Sequence, residues 1–275
     1  MKNPKYNREL SVIDTEEKAY LLGQIYGDGC NCKTKRKDKR GNSYRIILAS
    51  INTDRPLYEK INSAFPFLKI ATYSSHPNVI YLTCSQKKLY EDLANLGMIS
   101  NKAMYDKTGE FHFPELKEEL IHHFIRGYFD ADGSCWYPTR KRSRNNMHIE
   151  FGCGTKNFII ALNSILNKNG ISFTYKEKSK MAGNGKSYDS YIIYSCNREQ
   201  SIKFADYIYN NATIFLDRKK ELCYKEPELR PTASRVYGNC PHCDSSNIRR
   251  AGIRMGKRRL RCLNCGKMFT RPLPK

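Results

Sequence analysis

Two segments, YLLGQIYGDGC (20–30) and FIRGYFDADGSC (124–135), restrict what this chain can fold into. Each is an apolar, helix-like run with small residues four apart, Gly23 and Gly27 in one, Gly127 and Ala131 in the other. Residues i and i+4 of a helix share a face, so each run carries a smooth strip along which another backbone can approach closely. An aspartate follows each strip, Asp28 and Asp132, 104 residues apart, and a glycine follows each aspartate. Helices packed strip to strip with pseudo-twofold symmetry bring both aspartates out side by side at one end. Gly29 and Gly133 are expected in the left-handed turn that commonly ends a helix.

The duplication extends beyond these runs. PLYEKINSAF (56–65) lies on NFIIALNSIL (157–166), YLTCS (81–85) on IYSCN (193–197) and Lys102 on Lys219, in the same order, with offsets that drift through loop insertions. Each unit reads helix, two strands, helix, two strands, helix, the strands being alternating runs such as YRIILASI, VIYLTCS and SYIIYSC. Asp14 with Glu17 resembles a capping box for the first helix, and Pro114 suits the first turn of its counterpart. The texture changes after Glu226. The expected division is residues 1–112, 113–228 and 229–275.

Two carboxylates at the negative ends of adjacent helix dipoles repel one another, and a hard divalent cation such as Mg²⁺ relieves the repulsion. Such a centre suits metal-assisted phosphodiester hydrolysis. Charge points to the same substrate class: 48 Lys+Arg against 27 Asp+Glu give +21 over 275 residues, an excess that favours a polyanion. No run of about 18 apolar residues is present, and MKNPKYNREL has no apolar signal core, so no membrane partner and an intracellular location are expected, in the cytoplasm or nucleoid of a prokaryote or phage-infected cell or in an organelle. Basic, turn-rich segments follow both aspartates. KTKRKDKRGNSYR (33–45) supplies Lys33, Lys35, Arg36, Lys37, Lys39, Arg40 and Arg45, and PTRKRSRNN (138–146) supplies Arg140, Lys141, Arg142 and Arg144. Both read as hairpin tips that contact phosphates. KEKSKMAGNGKSY (176–188), with Lys178 and Lys180, has no equally long counterpart in the first unit.

LLGQIYGDG (21–29) and IRGYFDADG (125–133) resemble the paired signature helices of LAGLIDADG homing endonucleases, a similarity extending over roughly residues 10–225. The resemblance implies an α+β fold of two pseudo-symmetric αββαββα repeats, whose sheets form a saddle over the major groove of double-stranded DNA. It implies a monomeric, sequence-specific endonuclease that uses a divalent cation at a long asymmetric site and leaves short 3′ overhangs. By the same match Asp28 and Asp132, with Gly27 and Ala131 before them, form the Mg²⁺ site. Lys102, in SNKAM, and Lys219, in LDRKKEL, take the places of the supporting catalytic lysines. The motifs differ at one position, where the first has Tyr26 and the second Asp130, so Asp130 is expected to be structural. An intron RNA maturase on the same scaffold and a non-catalytic DNA-binding regulator are the alternatives. Retention of both aspartates favours cleavage.

The C-terminal segment carries Cys240-x2-Cys243, 18 residues, then Cys262-x2-Cys265. Four thiolates so spaced make a tetrahedral structural Zn²⁺ site whose metal supplies the folding energy of a short module. His242, inside the first knuckle, is expected to be exposed. The module resembles zinc ribbons appended to DNA-acting proteins, and Arg258, Arg259 and Arg261 are its candidate DNA contacts. The seven other cysteines show no paired spacing and are expected mostly as small apolar fillers.

Overall fold

The computed structural model describes residues 4–36, 41–98, 111–138, 147–181, 187–225 and 233–273. The chain forms two compact units, Met1–Lys225 and Glu226–Lys275.

The larger unit repeats one pattern. Its first half runs α1 (Glu16–Asp28), β1 (Cys30–Lys35), β2 (Asn42–Ile51), α2 (Arg55–Ala64), β3 (Lys69–Tyr73), β4 (His76–Cys84) and α3 (Lys87–Asn95). The second runs α4 (Glu118–Asp132), β5 (Ser134–Trp136), β6 (His148–Cys153), α5 (Lys156–Lys168), β7 (Thr174–Met181), β8 (Ser187–Ser195), α6 (Arg198–Tyr209) and α7 (Asp217–Tyr224). Each half builds one antiparallel sheet, in the order β1-β2-β4-β3 and β5-β6-β8-β7. The segments matched in sequence fall on equivalent elements, α2 with α5 and β4 with β8.

Alternation along the strands gives each sheet one helix-covered face and one open face. Asn31, Ile46 and Cys84 are cross-strand neighbours on the covered face of the first sheet, with buried Leu48 and Leu82. In the second sheet Ile149, Phe151 and Ile193 play that part.

Between the two halves run α1 and α4. A Cβ placed on Gly23 would fall within 3.0 Å of Phe124 O and Tyr128 N, and one on Gly127 within 3.0 Å of Tyr20 O. A Cβ on Gly27 would overlap the Cβ of Ala131. The small strips are therefore in main-chain contact, and Gln24 crosses the seam, its amide donating to Gly127 O at 3.0 Å and to the Tyr20 hydroxyl at 3.2 Å.

Three local expectations are corrected. Gly29 (φ −73°, ψ 142°) and Gly133 (φ −69°, ψ 151°) are extended, not left-handed. Glycine is needed there because a Cβ would strike the preceding turn, at Ile25 and at Phe129. Helix α1 is capped by Thr15, whose hydroxyl accepts from Lys18 N–H at 3.3 Å, while Asp14 instead pairs with the Lys18 ammonium at 2.6 Å. Pro114 precedes α4 by several residues, since that helix opens at Glu118.

The smaller unit has a short helix α8 (Ala233–Tyr237) and a sheet of β9 (Ile248–Arg254), β10 (Lys257–Cys262) and β11 (Met268–Pro272), in the order β11-β10-β9. Met255 (φ 47°) and Gly256 (φ 71°) make the tight β9–β10 turn, both in the left-handed region that two-residue hairpins favour. Its core is small: Tyr237, Ile248 and Leu260 with Phe269. No helix of the described residues is long and apolar enough to cross a membrane.

Helix propensity alone favours Ala over Gly by about 1 kcal/mol. Gly127→Ala should nonetheless destabilise the larger unit by about 2 kcal/mol, lowering its thermal midpoint by roughly 4–8 °C, because the new methyl meets backbone. Gly154→Ala, where a Cβ meets nothing within 4 Å, should leave the midpoint unchanged.

Candidate active site and nucleic-acid face

Close packing of α1 on α4 brings their last residues together. The Cβ position of Gly27 lies 3.3 Å from Asp132 N and 3.4 Å from its Cβ. Asp28 and Asp132 are both exposed, as expected for side chains that leave the helices where the strips end. Their charges reach a common neighbour: burial first, then Cys153, then Asp132 and Asp28, push the Tyr128 phenol far above its ordinary range. A cavity of about 350 Å³ opens beside them, lined by Tyr26, Gly27, Tyr128, Asp132, Ser134 and Glu150 among others.

Asp130 faces inward. It is 3% exposed and accepts from the Tyr20 hydroxyl at 2.9 Å, the Tyr209 hydroxyl at 2.5 Å and Leu216 N–H at 2.8 Å. Burial pushes its carboxyl up to about 6 against the pull of these donors. The equivalent Tyr26 donates its hydroxyl to Leu96 O. The two motifs differ here because each side chain fastens its helix to a different downstream segment, a carbonyl in one repeat and an amide in the other.

Lys219, on α7, is 6% exposed and lies under the end of α4. Its ammonium donates to Phe129 O (2.6 Å), Asp130 O (2.9 Å), Ala131 O (3.5 Å) and Gly133 O (2.5 Å). Phe129 O also accepts from Gly133 N–H, and all four carbonyls lie at the end of the helix or just past it, where a cation complements the dipole. The bonds to Ala131 and Gly133 bracket Asp132 in sequence. Burial lowers the Lys219 pKa, opposed by Asp130, Cys135 and Asp28. Lys102, the first-repeat counterpart, lies outside the described residues.

With this geometry in place, a family model described as "LAGLIDADG-like domain" matches residues 119–209. Residues 119–209 form a LAGLIDADG-like domain. The solved LAGLIDADG homing endonuclease I-GzeII, in complex with its DNA target, has the same fold: TM-score 0.51 at 11% identity, covering 74% of this chain and 86% of that one. I-DmoI in complex with DNA and Ca is similar at 21% identity, with a TM-score of 0.49 over 76% of this chain and 94% of that one. No curated protein matches the sequence. The expected pair of αββαββα repeats, with their saddle of two sheets, is thus the architecture found, and the LAGLIDADG-like domain is its second repeat.

Register sorts the basic candidates. On the open face of the first sheet Arg45 pairs with Cys32 and donates to the Tyr73 hydroxyl at 3.1 Å. Lys33 and Lys35 alternate onto the helix side of the projecting β1–β2 hairpin, where the Lys33 ammonium lies over the Tyr44 ring. Arg36 N–H bonds Gly41 O at the hairpin's end. On the LAGLIDADG-like domain's open face Lys178 pairs with Ser190, and the Trp136 ring lies tilted against His148 with centroids 5.2 Å apart. Lys180 lies in β7 opposite Tyr188. Lys37, Lys39, Arg40, Arg140, Lys141, Arg142 and Arg144 lie outside the described residues.

In the smaller unit the sulfurs of Cys240, Cys243, Cys262 and Cys265 all lie within 4.8 Å of one another, with Cys240–Cys265 at 3.7 Å and Cys243–Cys262 at 3.5 Å. Tetrahedral metal–sulfur bonds of about 2.3 Å set sulfurs about 3.8 Å apart, so the donor set fits a thiolate-bound metal. Backbone N–H groups of His242 and Cys265 point at Cys240 and Cys262 sulfur, and the His242 side chain is exposed. By register Arg258 shares the Leu260 face of β10, with Gly252 O as its acceptor at 3.4 Å, and Arg259 and Arg261 lie on the other face. Of the remaining cysteines Cys84 and Cys223 are buried fillers, but Cys30 is exposed with its sulfur 2.6 Å from that of Cys32.

Several structural residues had no sequence signal. Arg126, fully buried, donates to Glu16 at 2.6 Å and to the carbonyls of Ile208 and Ile214 at 2.9 and 2.8 Å. Arg218, next to Lys219, forks onto buried Asp54 of the first repeat at 2.8 and 3.0 Å. Nothing local marks an arginine for burial.

An acid whose folded pKa is raised holds its proton more tightly when folded. The stability contributed by Asp130 is therefore largest below about pH 4 and is lost as pH rises to about 6, staying flat above. The stability difference between wild type and Asp130→Asn, from urea melts at pH 4 to 8, should shift against wild type across that interval and then level off.

Proposed function

We propose that the chain is a sequence-specific DNA endonuclease that cuts both strands of a long asymmetric target, leaving short 3′ overhangs, with a divalent cation held by Asp28 and Asp132. One observation carries the reading: the packed helix ends bring two exposed carboxylates together beside two sheets with open faces. I-GzeII, which has this fold, was solved with a DNA target, and this supports duplex DNA as the partner.

The donor set suits a hard cation. Carboxylates of Asp28 and Asp132, with the main-chain carbonyls of Gly27 and Ala131, offer only oxygen, which Mg²⁺ prefers and soft metals do not. When bound, the cation polarises the scissile phosphate, lowers the pKa of a water and stabilises the leaving oxygen. The chain's own residues do the positioning. Exposed Arg45 and Lys178 on the open faces neutralise backbone phosphates, while neighbouring side chains such as Trp136 and Tyr73 face the groove. Lys219 holds the turn that aims Asp132, and Lys102 is assigned the equivalent place in the first repeat. With both acids on one chain, the active unit is a monomer.

Residues 1–112 and 113–228 are assigned as the two repeats and 229–275 as a ribbon, with Zn²⁺ on Cys240, Cys243, Cys262 and Cys265. The ribbon's small core leaves metal binding to supply much of its stability. Cys262→Ser should lower bound zinc, measured by elemental analysis, from one per chain to well below one, without shifting the thermal midpoint of the larger unit.

Asp→Asn keeps size while deleting charge. Asp28→Asn and Asp132→Asn should each reduce double-strand cleavage in Mg²⁺ about a thousandfold or more, the scale of several kcal/mol of metal stabilisation. Target binding in Ca²⁺ should survive. A doubly substituted protein that cuts its target at the wild-type rate would overturn the assignment.

A further inference from the structure

The ribbon's arginines divide into two groups by strand register. Arg250 and Arg271 fold back over the small core: Arg250 lies over the Tyr237 ring, and Arg271 lies over Phe269 and donates to Tyr237 O at 3.1 Å. Arg258 joins them on that face, in line with Leu260. Lys257, Arg259 and Arg261 alternate onto the other face of β10, where their cross-strand partners are Arg254, Thr270 and Arg249. That face therefore gathers five cations, Arg249, Arg254, Lys257, Arg259 and Arg261, on one small sheet. Among the described residues of this unit the one carboxylate is Asp244, engaged by Asn239 at 3.3 Å.

Like charges packed this densely repel one another. Folding could dispose of them by pairing or by spreading them apart, yet β9 and β10 align them on adjacent strands. Such an array is stabilised by a polyanion, whose phosphates release counterions when it binds. Its chemistry also selects the form of polyanion. The face has no aromatic side chain, and single-stranded nucleic acids are held by stacking bases on aromatic platforms. Five fixed cations without stacking groups match the regular phosphate rows of a duplex.

We propose that this face of the ribbon is a second, sequence-independent anchor for double-stranded DNA, holding its phosphate backbone. The choice of DNA over duplex RNA rests on the endonuclease reading above. The anchor adds affinity and residence time near the target and no base discrimination, because phosphate contacts position a protein without reporting sequence.

The test uses the full-length zinc-loaded chain in Ca²⁺, so that binding is measured without cleavage and the outcome does not depend on catalysis. Arg249, Arg259 and Arg261 are changed together to Gln in one variant and to Lys in another. A charge control changes Lys5, Lys88 and Lys168, which are exposed on the larger unit, to Gln. For the Gln variant the slope of log affinity against log salt on duplex DNA should flatten by about 2 to 3, near 0.9 for each phosphate that is no longer neutralised. The weakening should be the same on target and random-sequence duplexes. The Lys variant should keep the wild-type slope, and the charge control should not change it. Zinc at one per chain in every variant shows that the ribbon is folded. An unchanged slope in the Gln variant, or a change confined to target DNA, overturns the proposal. A change seen only with duplex RNA overturns the choice of DNA.

Discussion

Everything in the larger unit depends on main-chain contact between α1 and α4. Two helices touching main chain to main chain at Gly23 and Gly127, and with only a methyl between them at Gly27 and Ala131, have little room to absorb an error of register, so their ends are fixed relative to one another. Fixed ends matter because Asp28 and Asp132 sit on the last residues, where a shift of one residue would rotate a carboxylate about 100° around its helix axis. Larger residues would pack equally well by area. They would separate the axes and, with them, the acids.

Buried polar groups add to the apolar packing of the two repeats. Arg126 with Glu16 and Arg218 with Asp54 both join one repeat to the other, and each buried charge is matched by bonds to a partner or to carbonyls. Pairing matters because a buried unpaired charge costs several kcal/mol, so either pair penalises a misdocked arrangement of the repeats more than it stabilises the correct one. Lys219 extends the same logic to the site. One ammonium donates to four carbonyls at the end of α4, beneath a carboxylate.

The repeated strip, the paired aspartates and the succession of helices and strands were legible in the sequence because each is a feature repeated once. The cysteine knuckles were legible because metal geometry restricts spacing. What escaped was tertiary. Asp54, Arg126 and Tyr209 find their partners 164, 110 and 79 residues away, and no local pattern encodes those distances. The glycines after each aspartate were recognised as necessary for the wrong reason: crowding by the preceding turn, not a left-handed backbone, excludes a side chain there.

Charge was the most legible quantity and the least precise. A net +21 favours a polyanion partner, yet the count treats every cation alike. Register separates them. Lys219 and Arg126 are buried structural cations, Arg250 and Arg271 cover the ribbon's core, and Lys33 lies against a tyrosine on the helix side of its hairpin. Arg45, Lys178 and the five cations on the ribbon's outer face remain on open sheet faces. Among the described residues the electrostatic footprint is therefore concentrated where strand alternation directs it. A salt slope counts the cations that approach phosphates and not the total, because only those release counterions.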